Sequence, residues 1–201
     1  MKVFPGSWPM TVVCGASGTG RTRFAYALAA KYNGHVVDTS DVLEAVRAMS
    51  DPSRHPELFQ EDVERHGTAE ELAAARLRAA EVLEPAVRAV MVKQPRLRLD
   101  GHYEFPHTVV TGRHALPGLA WDFAVVLTET EEQVHVNLGS QDLRTRTSML
   151  VQEELLRRGA EHRRNHVHCE VVRVPARPWA DAVDRAGRDM NELWDSRNAL
   201  G

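Results

Sequence analysis

Apolar positions along this chain follow two rhythms. Short continuous runs occur at residues 10–14, at His35-Val36-Val37-Asp38, at Phe123-Ala124-Val125-Val126-Leu127 and at Val167 to Val174. Runs of this length, rich in valine, predict strands buried on both faces. Arg96-Leu97-Arg98-Leu99-Asp100 alternates and predicts a further short strand, third in chain order. Between the runs the spacing turns helical. Residues 23–30 predict one helix. Asp41 reads as the N-cap of a second, Val42 to Met49. Residues 68–93 predict a long helix, opened by a Thr68/Glu71 capping box and striped by Leu72, Leu83, Val87 and Val90. Pro85 is expected to kink or divide it. Glu129 to Leu138 predicts a helix broken by Gly139-Ser140, and Gln141 to Arg158 resumes the pattern. Residues 179–196 predict the last helix, while 50–67 and 103–120 read as loops. Strands that want burial, alternating with helices, predict an α/β fold: a three-layer αβα sandwich around a mainly parallel five-stranded sheet. We expect one domain over residues 1–201, with a mobile lid around 139–165.

Composition changes this picture little. The 201 residues suffice for one substantial core. A net charge of −3 gives no ground for nucleic-acid binding. No apolar run is long enough to cross a membrane, and Met1 to Pro9 lacks a signal-peptide core, so a cytoplasmic protein is expected. Cys14 and Cys169 each sit in an apolar run and read as small buried hydrophobes. A monomer and a homodimer are equally compatible with these features.

Chemistry enters directly after the first strand. Gly15-Ala16-Ser17-Gly18-Thr19-Gly20-Arg21-Thr22 lies between that strand and a helix. Strand, glycine-rich loop and helix form the layout of a phosphate-binding P-loop, the Walker A motif. Gly15, Gly18 and Gly20 let the backbone turn its N–H groups inward, where they and the positive helix end hold phosphate oxygens. Thr22 stands where a hydroxyl meets Mg²⁺. Arg21 occupies the lysine position, keeping the charge on a longer, forked group.

Ligands of such sheets bind at the carboxyl ends of the strands. Asp38, Asp41 and Asp100 fall at predicted strand ends. Asp41 is a cap, a group that orients substrate, or both. Asp38 is a solvated strand end or a participant. Asp100 is a turn residue before Gly101, or the acid that serves metal or base. Arg144 and Arg146 follow the Gly139-Ser140 break, where a lid would hinge, and could close over a transferring phosphoryl group. Arg157, Arg158, Arg163 and Arg164 read as a solvated helix end. His162, His166 and His168 lack the partners of a zinc site. His102 and His107 flank a loop of the expected site, and Trp179 and Trp194 read as packing residues.

These segments, taken in order, resemble the small P-loop kinases of the 2-phosphoglycerate kinase-like type, within the wider nucleoside/nucleotide and small-molecule kinase group of P-loop NTPases. The resemblance rests on Gly15 to Thr22, Ser40 to Arg47, Leu83 to Val87, Leu99-Asp100-Gly101-His102 with Pro106, and Val174-Pro175-Ala176-Arg177-Pro178-Trp179. It departs from the family at Arg21 for lysine, Asp100 for glutamate and Glu44 for arginine. The resemblance implies transfer of the γ-phosphoryl group of ATP, with Mg²⁺, to a hydroxyl of a small metabolite. On that reading Gly15, Ala16, Ser17, Gly18, Thr19, Gly20, Arg21 and Thr22 bind the nucleotide, and Thr22 and Asp100 the metal. Asp41 orients the acceptor, and Arg144 and Arg146 complete the charge. Two other readings stay open. One is a nucleotide-binding regulator or scaffold weakened at Arg21. The other is a nucleoside or nucleotide kinase, with Tyr103, Phe105 or Phe59 stacking a base.

Overall fold

A computed structural model describes residues 10–59, 66–92, 97–99, 102–104, 107–166 and 169–198. Five strands form one all-parallel sheet: β1 (Met10–Gly15), β2 (His35–Asp38), β5 (Thr108–Thr111), β6 (Phe123–Thr128) and β7 (Glu170–Pro175), ordered β2-β5-β1-β6-β7. β3 (Leu97–Leu99) and β4 (His102–Glu104) stand apart as an antiparallel pair. Six helices accompany them among the described residues: α1 (Arg21–Lys31), α2 (Thr39–Met49), α3 (Ala69–Val92), α4 (Glu131–Asn137), α5 (Asp142–Asn165) and α6 (Trp179–Asn198).

The sandwich follows from the pleat. Successive side chains of β1 point to opposite faces. Val12 and Cys14 join a core made with α2, α3 and α5, while Val13 joins a second core made with α1 and α6. Every residue of β1 and β6 is buried, which explains runs without polar alternation. Both cysteine residues are buried and no disulfide joins them.

Three expectations need correction. The sheet's remaining strand is β5, inside the stretch read as a loop; residues 97–99 pair with 102–104 instead. α2 starts at Thr39 and is capped by Asp38, whose carboxylate accepts the Ser40 N–H at 2.8 Å, so Asp41 lies in the first turn. α3 is one helix through Pro85, so the proline does not divide it; Pro85 is exposed, as is Glu81, whose carbonyl the proline leaves without an N–H donor. Its capping box forms as expected: Thr68 N–H to Glu71 at 2.8 Å and Glu71 N–H to Thr68 Oγ1 at 3.2 Å. Leu72, Leu83 and Val87 are buried, but Val90 is exposed. Gly139 and Ser140 have φ of 70° and 59°, and they form the break between α4 and α5. α5 itself is one helix with Val151 and Leu155 in the core.

Candidate active site

Parallel pairing brings the carboxyl ends of all five strands to one rim. Gly15, Asp38, Thr111, Thr128 and Pro175 end their strands there. β1 sits at the switch point, because the chain leaves it toward β2 on one side and reaches β6 on the other. The P-loop occupies that position.

Its geometry is tightly specified. Gly18 and Gly20 have φ of 84° and 76°, in the left-handed region. A Cβ on Gly15 would lie 2.7 Å from Thr19 Oγ1, and one on Gly20 would lie 2.9 Å from the Trp179 ring. Inside the loop, Thr19 Oγ1 donates to the Ala16 carbonyl at 2.9 Å. From outside, Asn137 donates to the Gly18 carbonyl at 2.6 Å. Gly20 stands at the N-cap of α1 without a side-chain cap bond, and the first turn holds no acidic residue. The orphan N–H groups and the positive helix end therefore face an opening.

That opening is a cavity of about 490 Å³, walled by the P-loop, Thr22, Glu129, Arg177 and Trp179. The Trp179 indole meets Phe24 edge-on at 6.0 Å, and the Arg23 guanidinium lies 4.9 Å from its ring centre. Glu129, nearly buried, pairs with Arg177 at 3.3 Å. Gln152 fixes the Glu129 backbone through bonds of 2.9 and 3.1 Å.

Arg21 lies between this cavity and a narrower hollow on the other side of the loop, and lines both. Its guanidinium donates to the Gly15 carbonyl, and its Nε is buried without a hydrogen bond. Burial lowers its pKa to about 10, with Cys14 and Asp38 acting to raise it and Arg113 and Arg76 to lower it, so it stays charged near neutrality. Burial pushes the Cys14 thiol up and keeps it neutral. His114 is lowered to about 4, first by burial and then by Arg113, Arg21, Arg47 and Arg76.

The other expected residues are placed as follows. Asp38 faces β5: a Cβ on Gly112 would come within 2.6 Å of its Oδ1 and run into Thr39 Oγ1. Asp41 is exposed on α2. Asp100 lies outside the described residues. Arg144 and Arg146 are exposed at the start of α5 and line neither cavity; Arg146 pairs with Glu70 at 2.7 Å. Arg157 and Arg158 pair with Glu154, and Arg158 also with Glu81. His107 is buried on Thr11 at 2.9 Å, away from the rim. Phe59 packs against the core under Arg47. The side chains of His102, Tyr103 and Trp194, and all of Phe105 and His168, lie outside what is described. Among the described residues no group of three His, Cys, Asp or Glu could hold a metal ion.

Sequence reasoning missed Glu129, Asn137 and Arg177 as cavity walls, and treated Trp179 as packing alone. It also missed Arg76 and Arg113 beside Arg21. The Gly112-Arg113 step after a valine pair was the available signal for the last of these.

No family model matches the chain, and no curated protein matches its sequence. Solved structures do match. A gluconokinase from Sinorhizobium meliloti 1021 superposes with a TM-score of 0.50 at 22% identity, covering 100% of this chain and 99% of that one. A shikimate kinase from Acinetobacter baumannii in complex with shikimate gives 0.48 at 12% identity, covering 94% and 95%. The chain has the fold of the P-loop small-molecule kinases. Among the described residues no helix is long and apolar enough to cross a membrane.

Proposed function

We propose that this chain is a kinase, transferring the γ-phosphoryl group of ATP to a hydroxyl of a small metabolite. The observation that carries this is the uncapped start of α1, with Gly18 and Gly20 in left-handed conformations, opening on the 490 Å³ cavity. The loop from Gly15 to Thr22 would hold the phosphates through backbone N–H groups. Thr22 is exposed at the cavity mouth, and a site with few protein oxygens suits Mg²⁺, which keeps waters and phosphate oxygens as its other ligands. When bound, Mg²⁺ neutralises charge developing on the phosphates. Trp179, with Arg23 over its ring, offers a flat wall for a base.

In the reaction the acceptor oxygen bonds to the γ-phosphorus as the bond from that phosphorus to the β–γ bridging oxygen breaks. ADP leaves, and the hydroxyl proton passes to a carboxylate. Among the described carboxylates, Asp38 would take that role: it ends a strand at the rim and its charge acts on Arg21. Asp41 would orient the acceptor from one turn along, and Asp100 would serve metal or base. Arg144 and Arg146 would reach the transferring group only if the corner at Gly139-Ser140 closes.

The test is ³¹P NMR of the protein with MgATP and a panel of hydroxy acids, sugars and phosphorylated alcohols. D-gluconate belongs in the panel because a gluconokinase shares the fold. The expected result is equimolar ADP and a new phosphomonoester with one acceptor class. Binding of MgATP with no ester from any class would favour a second reading, a nucleotide-binding regulator. The contact of Arg21 with the Gly15 carbonyl is the observation behind it.

A further inference from the structure

Gly18 is gripped from outside the P-loop. Its carbonyl accepts from Asn137 Nδ2 at 2.6 Å, and Asn137 is the last residue of α4. One turn earlier, Gln133 Nε2 donates to Asn137 Oδ1 at 2.9 Å. The Gln133 N–H is held in turn by Oγ1 of Thr130, the N-cap, at 3.3 Å. With its oxygen committed to Gln133, the Asn137 amide offers the loop only N–H donors. The apolar side of α4 is seated as closely: a Cβ on Gly18 would lie 3.2 Å from Leu138 Cγ and 3.3 Å from Val134 Cγ1. At φ 84° Gly18 has the conformational freedom by which its peptide could also turn the other way. Across the trans peptide the Thr19 N–H points away from the Gly18 carbonyl, and it lies 3.4 Å from the Ala16 oxygen. Gly18 and Asn137 both line the nucleotide cavity. A carbonyl oxygen turned into that cavity would repel phosphate oxygens, and one held out of it does not.

We infer that Asn137 is a positioning residue for phosphate binding. Oriented by Gln133, it keeps the Gly18 carbonyl turned out of the loop, so that phosphates meet N–H donors and no carbonyl oxygen. The inference deepens the kinase reading and rests on it, because only a loop that holds phosphate gains from the clamp. Linkage adds a consequence. A phosphate that favours this form of the loop strengthens the Asn137 bond by the factor that the bond contributes to phosphate affinity.

The test titrates MgADP and inorganic pyrophosphate separately into the full native chain and into Asn137→Leu, Gln133→Leu and Val136→Ala. Asn137→Leu removes the donor without adding charge at an exposed position, and leucine is the better helix former, so α4 should keep its fold. That variant should bind both probes about threefold to tenfold more weakly. The factor should be the same for the two, because the clamp acts on phosphates and not on a base. Gln133→Leu should show a smaller loss of the same kind. Val136→Ala, exposed on the same helix, should show none. In the native chain, NMR should find a scalar coupling between Asn137 Nδ2 and the Gly18 carbonyl carbon that grows as pyrophosphate saturates the loop. This spectrum decides if a variant fails to fold. Native binding that Asn137→Leu leaves unchanged, a loss confined to MgADP, or a coupling that vanishes on saturation overturns this inference alone. No binding of either probe by the native chain overturns the kinase reading, and this inference with it.

Discussion

Gly20→Ala probes the junction on which the nucleotide cavity depends. At φ 76° an alanine pays left-handed strain of about 1–2 kcal/mol. Its Cβ would also lie 2.9 Å from the Trp179 ring, so the indole or the loop must shift. Overpacking of this kind costs about 1–3 kcal/mol, and half-buried Trp179 can give way, which favours the low end. The sum is about 2–4 kcal/mol. At roughly 2–4 °C per kcal/mol for a chain this long, Tm should fall by about 4–16 °C in calorimetry or circular dichroism. Gly139→Ala is the matched control. Its φ is 70°, but nothing lies within 4 Å of the added methyl, so only strain is felt. That variant should lose about 2–8 °C, half the Gly20→Ala loss. In a Trp179→Leu background the Gly20→Ala penalty should shrink toward the Gly139→Ala value, because the clash partner is gone. If Gly20→Ala costs no more than Gly139→Ala in the native background, Trp179 is not seated on the P-loop, and the cavity wall drawn from it is wrong.

Asp38→Asn should leave Tm within about 2 °C, since asparagine caps a helix as well as aspartate, while kcat for phosphoryl transfer drops about 10²- to 10⁴-fold. Asp41→Asn, changed at an exposed position, should move kcat far less; equal losses in the two variants would shift the proton-accepting role away from Asp38. Arg146→Ala removes an exposed pair with Glu70 and should cost under about 1 kcal/mol in urea unfolding. A fall in kcat with that variant, at unchanged ATP affinity, would support closure of the α5 corner. Stability should also depend on pH below neutrality. Burial holds both His107 and His114 at about 4, beneath their ordinary 6.5, so the unfolded chain binds protons first as pH falls. Stability is complete above 6.5 and declines from there toward 4, by about 2 kcal/mol per histidine at pH 5. A urea midpoint flat between pH 7 and 5 would contradict this.

The sequence made the central strand and its loop legible because two independent signals agreed there. An apolar run demanded burial, and the spacing of Gly15, Gly18 and Gly20 demanded a turn onto a helix start. β5 was not legible for the opposite reason. Thr108 to Thr111 is four residues long, and it competed with Arg96 to Asp100, whose alternation suits a strand at least as well. Only pairing decides between them: β5 finds β1 and β2 on either side, whereas residues 97–99 find 102–104. The exchange of Asp41 for Asp38 as the cap is a small error in helix start that changes which carboxylate stands at the strand end. Arg76 and Arg113 lie 55 and 92 positions beyond Arg21. Nothing local marks them as partners; the packing of α3 and the switch from β5 to the rim bring them together. Trp179 was legible as an aromatic wanting contact, but its contact is Gly20, across the sheet rim.

The most direct test of the nucleotide site is isothermal titration of MgATP into the native chain and into Arg21→Lys and Arg21→Ala. Backbone donors and the α1 dipole should give saturable 1:1 binding at micromolar strength in the native chain. Because the Arg21 guanidinium is engaged with the Gly15 carbonyl and the backbone donors carry the phosphates, the alanine variant should retain binding to within about tenfold. No heat of binding up to millimolar MgATP in the native chain, with binding restored by Arg21→Lys, would mean that the loop has lost its nucleotide. The kinase reading would then give way.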